Sequence, residues 1–139
     1  MTAPRILVVP GGTAISAVAL ANASIHKLVE LYEERQADPN HPAPHTVVFL
    51  RDPALVPPAT LRGSAATPEQ AFPEEDYPSL ANQIKNDPHF FDGVDLVIST
   101  SGSSAGKPRL VGLSMDALMA SVKATELALG GPGRWILAL

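Results

Sequence analysis

Short apolar runs alternate with helix-like periods along this chain, and that alternation limits the folds it can adopt. Three runs are too short for helices and rich in β-branched residues: "RILVVP" near the N-terminus, "VVFL" at Val47–Leu50, and "GVDLVI" after the middle of the chain. Runs that are apolar throughout are typical of strands buried on both faces of a sheet. A fourth, "RWILAL", is predicted to be a terminal strand. We therefore predict an α/β domain, a layered sheet with helices packed against it, whose strands lie near Ile6, Val48, Val97 and Leu137.

Two segments between these runs carry apolar residues at helical spacing. The first helix is predicted from about Ala14 to about Gln36. Its buried face should be formed by Ile15, Val18, Ala21, Ile25, Leu28 and Tyr32. The second should begin after Ser114 as N-cap and end at "GGPG". Its buried face should carry Met115, Leu118, Val122 and Leu129.

The 139 residues suffice for one domain, in which we distinguish three regions. Residues 1–50 are predicted to be strand, helix and strand, and residues 51–93 to be a proline-rich wrapping segment. Residues 94–139 should form strand, loop, strand, helix and strand. Ten of the fourteen prolines fall between residues 37 and 90, and this density disfavours long regular elements. One short helix is expected there, from about Pro78 to Asn86, with Pro78 in its first turn.

Charge and composition exclude several classes of protein. The formal net charge is −4, so there is no basic field to hold a nucleic acid or an anionic membrane. The absence of cysteine excludes disulfides and thiolate metal sites. The N-terminal run is too short for a signal peptide, and no stretch approaches a membrane span. We therefore expect a cytoplasmic protein.

The segment Ser99–Val111, "STSGSSAGKPRLV", combines five hydroxyl side chains, two glycines and two cations. It lies between two predicted strands and is therefore predicted to be a loop. Glycines allow backbone N–H groups to converge, hydroxyls add donors, and Lys107 and Arg109 add positive charge. Together these features favour the binding of phosphate oxygens. The alternative is an ordinary flexible Ser/Gly connector.

Two standard nucleotide-binding patterns do not fit. The stretch "GSSAGKP" has one residue too few between its glycines for a P-loop, and Pro108 stands where Ser or Thr would hold magnesium. The segment Val8–Ser16, "VVPGGTAIS", fails the dinucleotide pattern because Gly11 and Gly12 are adjacent. We interpret it as a structural turn with Thr13 as N-cap.

We do not assign a binding site to the other polar groups in the sequence. His41 and His45 share the loop "HPAPH" but have no carboxylate or thiolate at fixed spacing, so surface histidines are favoured over a metal site. His26 and His89 have no partner visible in the sequence. The acidic run Glu74–Asp76 lies between prolines and is interpreted as a solvated linker rather than a cation site.

The segment from about Val94 to Leu139 resembles the adenylate-forming enzymes, the superfamily of acyl-CoA synthetases, luciferases and nonribosomal peptide adenylation domains. "STSGSSAGKPRLV" is similar to their phosphate loop, T-S-G-[ST]-T-G-x-P-K, with Ala105 as an extra residue and Arg109 in place of the lysine. The following "GLSMDALMASVKATELALGGPGRWILAL" is similar to the helix and strand after that loop in o-succinylbenzoate-CoA ligases of the actinobacterial type. The resemblance implies that the fold is part of the N-terminal domain of such an enzyme.

The resemblance also implies a binding site. The residues that would bind the phosphates of ATP are Thr100, Ser101, Gly102, Ser103, Ser104, Gly106, Lys107 and Arg109. No catalytic residue and no metal ligand of the family is matched. Its histidine motif, adenine-contacting aromatic motif, ribose-binding aspartate and catalytic lysine all lie downstream in relatives. We expect the loop Ser101–Lys107 to be mobile without ligand, because it has little to bury.

The activity that the resemblance implies is that of an AMP-forming acid–thiol ligase. The carboxylate of o-succinylbenzoate would attack the α-phosphate of MgATP, giving an acyl-adenylate and pyrophosphate. The thiol of coenzyme A would then displace AMP and form the thioester used in menaquinone synthesis. ATP and Mg²⁺ are the implied cofactors, with coenzyme A as co-substrate.

The last predicted strand, "RWILAL", is apolar on both faces and has no polar tail. We therefore expect a fragment of a longer ligase, inactive alone, that self-associates through Trp135–Leu139. Two alternatives stay open. One is a self-contained small phosphate- or nucleotide-binding α/β domain, and the other is a non-catalytic interaction domain in which the loop is only a linker.

Overall fold

A computed structural model describes residues 4–9, 15–40, 45–51, 65–75, 77–100 and 108–133. The elements in chain order are β1 (Arg5–Val9), α1 (Ile15–Ala37), β2 (Thr46–Leu50), β3 (Ala65–Ala66), α2 (Pro68–Ala71), α3 (Pro78–Asn86), β4 (Leu96–Thr100), β5 (Arg109–Leu113) and α4 (Met115–Leu129). No helix in these ranges is long and apolar enough to cross a membrane.

The strands form one mixed sheet in the order β3-β1-β2-β4-β5. The three central strands β1, β2 and β4 are parallel, whereas β3 and β5 pair antiparallel at the two edges. The α/β class is therefore confirmed, as are the strands predicted near Ile6, Val48 and Val97. The strand predicted near Leu137 lies outside the described residues.

Helices cover both faces of this sheet. Alternate residues of the central strands, Ile6, Val47 and Val97 among them, pack with the segment that carries α2 and α3. There the rings of Phe49 and Phe72 are 4.9 Å apart at 60°. The other face, with Val48, packs against α1 and α4. Burial on both sides is the reason that these strands are apolar throughout instead of alternating.

The helices predicted from periodicity are confirmed within a residue of their expected bounds. Pro78 occupies the first turn of α3, the side chain of Ser114 accepts from the backbone of α4, and Gly130 ends α4 in the left-handed conformation at φ 84°. Two elements were not predicted. They are the two-residue strand β3 and the four-residue helix α2, whose start is a capping box between Thr67 and Gln70.

The buried faces predicted for α1 and α4 are only partly correct. Leu28 and Met115 are buried, but Ile15 is 89% exposed and Leu129 is 62% exposed, and Val18 and Val122 are also exposed. The reason is a mismatch of lengths. The 23-residue α1 is about 34 Å long, whereas a five-residue strand spans only about 17 Å. The first half of α1 and the last half of α4 therefore have little of the described sheet beneath them.

Asp95, one residue before β4, joins four elements. Its Oδ2 accepts a hydrogen bond from the backbone N–H of Met115 at 2.8 Å, and its Oδ1 lies 3.2 Å from the guanidinium of Arg35. Its backbone N–H donates to Leu113, and its carbonyl accepts from Val48. The residue is 6% exposed. A single buried carboxylate thus fixes the start of α4 against the end of α1, at the amino edge of the parallel strands.

A second polar contact joins the same two helices. The hydroxyl of Tyr32 in α1 hydrogen-bonds to the carboxylate of Asp116 in α4, and this bond raises the pKa of Tyr32 above its ordinary value. Burial of the tyrosine adds to the effect, whereas the nearby charge of Arg35 opposes it. The contact is therefore present while the tyrosine keeps its proton and is lost as pH rises through the raised pKa.

We predict that Asp95→Asn lowers the free energy of unfolding by about 1–3 kcal/mol, because asparagine offers only one, neutral, acceptor oxygen and one of the two donors is left without an acceptor in a buried site. Urea denaturation measures the change. Asp92→Asn is the matched control, since Asp92 pairs with His89 on the exposed surface and its loss should cost at most about 0.5 kcal/mol. Equal losses in the two variants would contradict the role given to Asp95.

We also predict that Gly112→Ala destabilises the domain by about 1–3 kcal/mol, the usual cost of overpacking. An added Cβ at Gly112 would lie 2.7 Å from Cγ2 of Val94, a stiff β-branched side chain. Gly133→Ala, where no atom lies within 4 Å, is the control. Adding Val94→Ala should recover part of the loss in a double-mutant cycle by urea denaturation, and additive losses would show that the contact is not the cause.

Candidate functional site

The Ser/Gly-rich segment connects β4 to β5, which are antiparallel neighbours. Their last pair is Thr100 with Arg109, and the loop follows directly from it. The two strands predicted on either side of this segment are thus confirmed, and we call their antiparallel pair the β4–β5 hairpin. Six of the eight predicted phosphate-binding residues lie outside the described residues: Ser101, Gly102, Ser103, Ser104, Gly106 and Lys107. Their phosphate contacts and the mobility expected of Ser101–Lys107 stay predictions.

The two described site residues, Thr100 and Arg109, share one face of the hairpin. Paired residues of antiparallel strands lie on the same side of a sheet, and side chains alternate along each strand. Thr100 and Arg109 are therefore on the side of Ile98 and Leu113, which pack toward α1 and α4. Thr100 is half-buried and Arg109 is exposed. A hydroxyl and a guanidinium thus stand side by side at the base of the loop.

This end of the hairpin lies at the carboxyl edge of the parallel strands. In open α/β sheets ligands bind outside the carboxyl ends of the strands. The segment after β1 that was predicted to be a turn, with Gly11, Gly12 and Thr13, lies outside the described residues. The hairpin base is therefore at the edge of the sheet where this class of fold places its ligands.

Two polar residues at this edge were not among the predicted site residues, although Ser99 was counted among the hydroxyls of the Ser/Gly-rich segment. Arg51 directly follows β2, is 9% exposed, and donates its backbone N–H to Val9. Ser99 precedes Thr100 and has a buried hydroxyl with no hydrogen-bond partner in the described part of the chain. The available signal for Arg51 was a charged residue immediately after the apolar run "TVVFL".

A side chain from α3 meets the hairpin from the opposite face. The carboxamide of Gln83 donates to the carbonyl of Leu110 at 2.9 Å and accepts from the N–H of the same residue at 2.9 Å. Leu110 is 3% exposed and adjoins Arg109. This contact could not be predicted from a local sequence pattern, because the two residues are 27 positions apart.

Among the described residues, no three His, Asp or Glu side chains come close enough together to hold a metal ion. His45 is half-buried, not a surface histidine, since its Nε2 lies 2.6 Å from the carbonyl of Val94 and donates to it. His89 has a partner that the sequence did not reveal, the carboxylate of Asp92 at 2.9 Å. His26 is exposed, as expected for solvent contact. His41 lies outside the described residues.

The acidic run before α3 behaves as a surface segment where it is described. Glu74 forms an exposed ion pair with Lys85 at 2.6 Å, and Glu75 is exposed. Asp76 lies outside the described residues. The interpretation as a solvated segment is confirmed for the two glutamates, with the added ion pair to α3.

Comparison with known proteins relates the chain to part of a CoA ligase. No family model and no solved structure matches. Two curated proteins match, both named "Probable 2-succinylbenzoate--CoA ligase", from Mycobacterium tuberculosis strains CDC 1551 / Oshkosh and ATCC 25618 / H37Rv. Each is 37% identical over 98 residues, which is 70% of this chain and 21% of the relative. The chain thus spans about a fifth of the length of the curated relatives that it matches.

Proposed function

We propose that this chain is part of an adenylate-forming ligase that joins o-succinylbenzoate to coenzyme A in menaquinone synthesis, in the cytoplasm. The role of this chain in the ligase is to bind the β- and γ-phosphates of ATP at the β4–β5 hairpin. The observation that carries the proposal is the position of Thr100 opposite Arg109, at the base of a loop rich in hydroxyls and glycines. The partial similarity to the mycobacterial ligases supports the reaction class.

The proposed reaction has two displacement steps. In the first, a carboxylate oxygen of the acid forms a bond to the α-phosphorus of ATP, and the bond to the bridging oxygen breaks, so that pyrophosphate leaves. In the second, the thiolate of coenzyme A attacks the acyl carbon and AMP leaves. Negative charge builds on the leaving pyrophosphate in the first step, and donors fixed in place before the reaction stabilise it best.

The described residues suit this leaving-group role. The guanidinium of Arg109 can bind two phosphate oxygens at once through parallel N–H donors. The hydroxyl of Thr100 adds a further donor beside it. Mg²⁺, when bound, would neutralise the nucleotide phosphates. The hairpin base supplies a hydroxyl and a cation but no carboxylate, so it fits phosphate oxygens better than a metal ion held by the protein.

We predict that this chain binds pyrophosphate and ATP and that Arg109→Ala weakens pyrophosphate binding about tenfold, the loss expected for one charge-assisted contact of about 1.4 kcal/mol. Arg109→Lys should keep most of the affinity. Isothermal titration calorimetry measures both. Arg5→Ala is the matched control, because Arg5 is also an exposed strand arginine but lies at the amino end of β1, on the opposite edge of the sheet. Equal losses in Arg5→Ala and Arg109→Ala would indicate nonspecific charge attraction.

The reaction class has its own test, the exchange of labelled pyrophosphate into ATP in the presence of o-succinylbenzoate. We expect exchange from a longer product of the same reading frame and none from this chain alone, because only the leaving-group contacts are assigned to it. If this chain binds phosphate compounds but the longer product catalyses no exchange, a self-contained nucleotide-binding domain would be favoured. Absence of any phosphate binding would favour an interaction domain and overturn the proposal.

A further inference from the structure

The side chain of Gln83 binds β5 as a neighbouring strand would. β5 is at the edge of the described sheet, so some of its backbone groups have no strand partner there. At Leu110 the carboxamide of Gln83 hydrogen-bonds to both backbone groups: it donates to the carbonyl and accepts from the N–H, each at 2.9 Å. A carboxamide carries the same donor and acceptor pair as a peptide group. This contact therefore fixes the backbone of Leu110 from the side that β4 does not reach.

The contact is placed where it controls the hairpin base. Leu110 pairs with Ser99, and the next residues in the register are Arg109 and Thr100. Leu110 is almost fully buried, whereas Arg109 is exposed and has no ion-pair partner among the described residues. The position of Arg109 therefore depends on its backbone, which pairs with Thr100 in the sheet and whose nearest described side-chain support from outside the sheet is the pair of hydrogen bonds from Gln83 to Leu110.

α3 itself is firmly attached, so Gln83 is a fixed support. Leu80 in α3 is fully buried in the same core as Leu110, and the adjacent Ala81 is 7% exposed. Gln83 lies less than one turn further along the helix and is half-buried. Its carboxamide thus approaches β5 from a rigid element, which is what a group that positions another residue requires.

We infer that Gln83 is a positioning residue for anion binding. By holding the peptide groups of Leu110, it keeps the guanidinium of Arg109 beside the hydroxyl of Thr100 for phosphate oxygens. The inference rests on the proposed function, since it assumes that this end of the hairpin binds pyrophosphate. The competing explanation is that Gln83 only covers a sheet edge and adds stability. The two explanations differ in whether removal of the carboxamide acts on phosphate affinity through Arg109.

The test is a double-mutant cycle for pyrophosphate affinity on the whole 139-residue chain, measured by isothermal titration calorimetry. When Arg109 is present, Gln83→Ala should weaken pyrophosphate binding about fivefold. This loss is within the range of coupling energies seen for residues that act through one another. It should have no further effect when Arg109 is already alanine. Backbone amide exchange at Leu110 should accelerate in Gln83→Ala, because its N–H loses its acceptor.

Gln70→Ala is the control for stability. Gln70 also makes a side chain–backbone hydrogen bond, to Thr67 in the capping box of α2, and it lies outside the hairpin. It should lower stability by a similar amount and leave pyrophosphate affinity unchanged. Gln83→Glu adds a second test, because it keeps the acceptor for Leu110 N–H but places a negative charge against the carbonyl of Leu110. It should weaken binding at neutral pH at least as much as Gln83→Ala.

The outcomes separate the two ideas. If the wild type binds pyrophosphate with dependence on Arg109 and Gln83→Ala binds equally well, the positioning role is wrong and the proposed function stands. The role is also wrong if the losses from Gln83→Ala and Arg109→Ala simply add. If the wild type does not bind pyrophosphate, the proposed function fails and the positioning role fails with it.

Discussion

The buried carboxylate of Asp95 is the interaction on which the arrangement of this domain depends. It accepts from the first turn of α4, pairs with Arg35 of α1, and lies at the start of β4, so it fixes the α1–α4 layer to the amino edge of the sheet. β4 then spans about 17 Å from this edge to the hairpin base. That separation has an electrostatic benefit, because a buried negative charge close to the hairpin would oppose the binding of phosphate. The domain thus keeps its structural anion and its proposed anion-binding site at opposite edges of the sheet.

The same geometry accounts for the exposed apolar side chains on the far halves of α1 and α4. α1 and α4 meet closely near Asp95 and extend beyond the short strands, so their far halves expose Ile15, Leu127 and Leu129. Of these three side chains, Ile15 and Leu127 are the most exposed, at 89% and 85%.

Local patterns predicted the elements of this fold better than they predicted its contacts. Short β-branched runs gave the central strands, and Ser114 and Gly130 gave the ends of α4, because these signals act within a few residues. β3 and α2 are only two and four residues long, too short to show any period. The prediction of which helix residues are buried was partly wrong for another reason. Whether Ile15 is covered depends on the length of strands elsewhere in the chain. The roles of Asp95 and Gln83 were likewise invisible, since their partners are 20 and 27 residues away.

If the hairpin binds phosphate as proposed, the composition of its Ser/Gly-rich segment has a physical reason in what α4 cannot supply. In a P-loop the phosphate sits at the N-terminus of the helix that follows, and aligned backbone dipoles contribute part of the positive charge. Here the chain returns through β5 before α4 begins, and the N-terminus of α4 lies at the other edge, where Asp95 and Ser114 already accept from two of its N–H groups, those of Met115 and Ala117. A phosphate at the hairpin therefore receives no help from α4. Side chains must supply the charge and the donors, which is a physical reason for a loop with surplus hydroxyls and for an arginine at Arg109 whose backbone is held from outside the sheet.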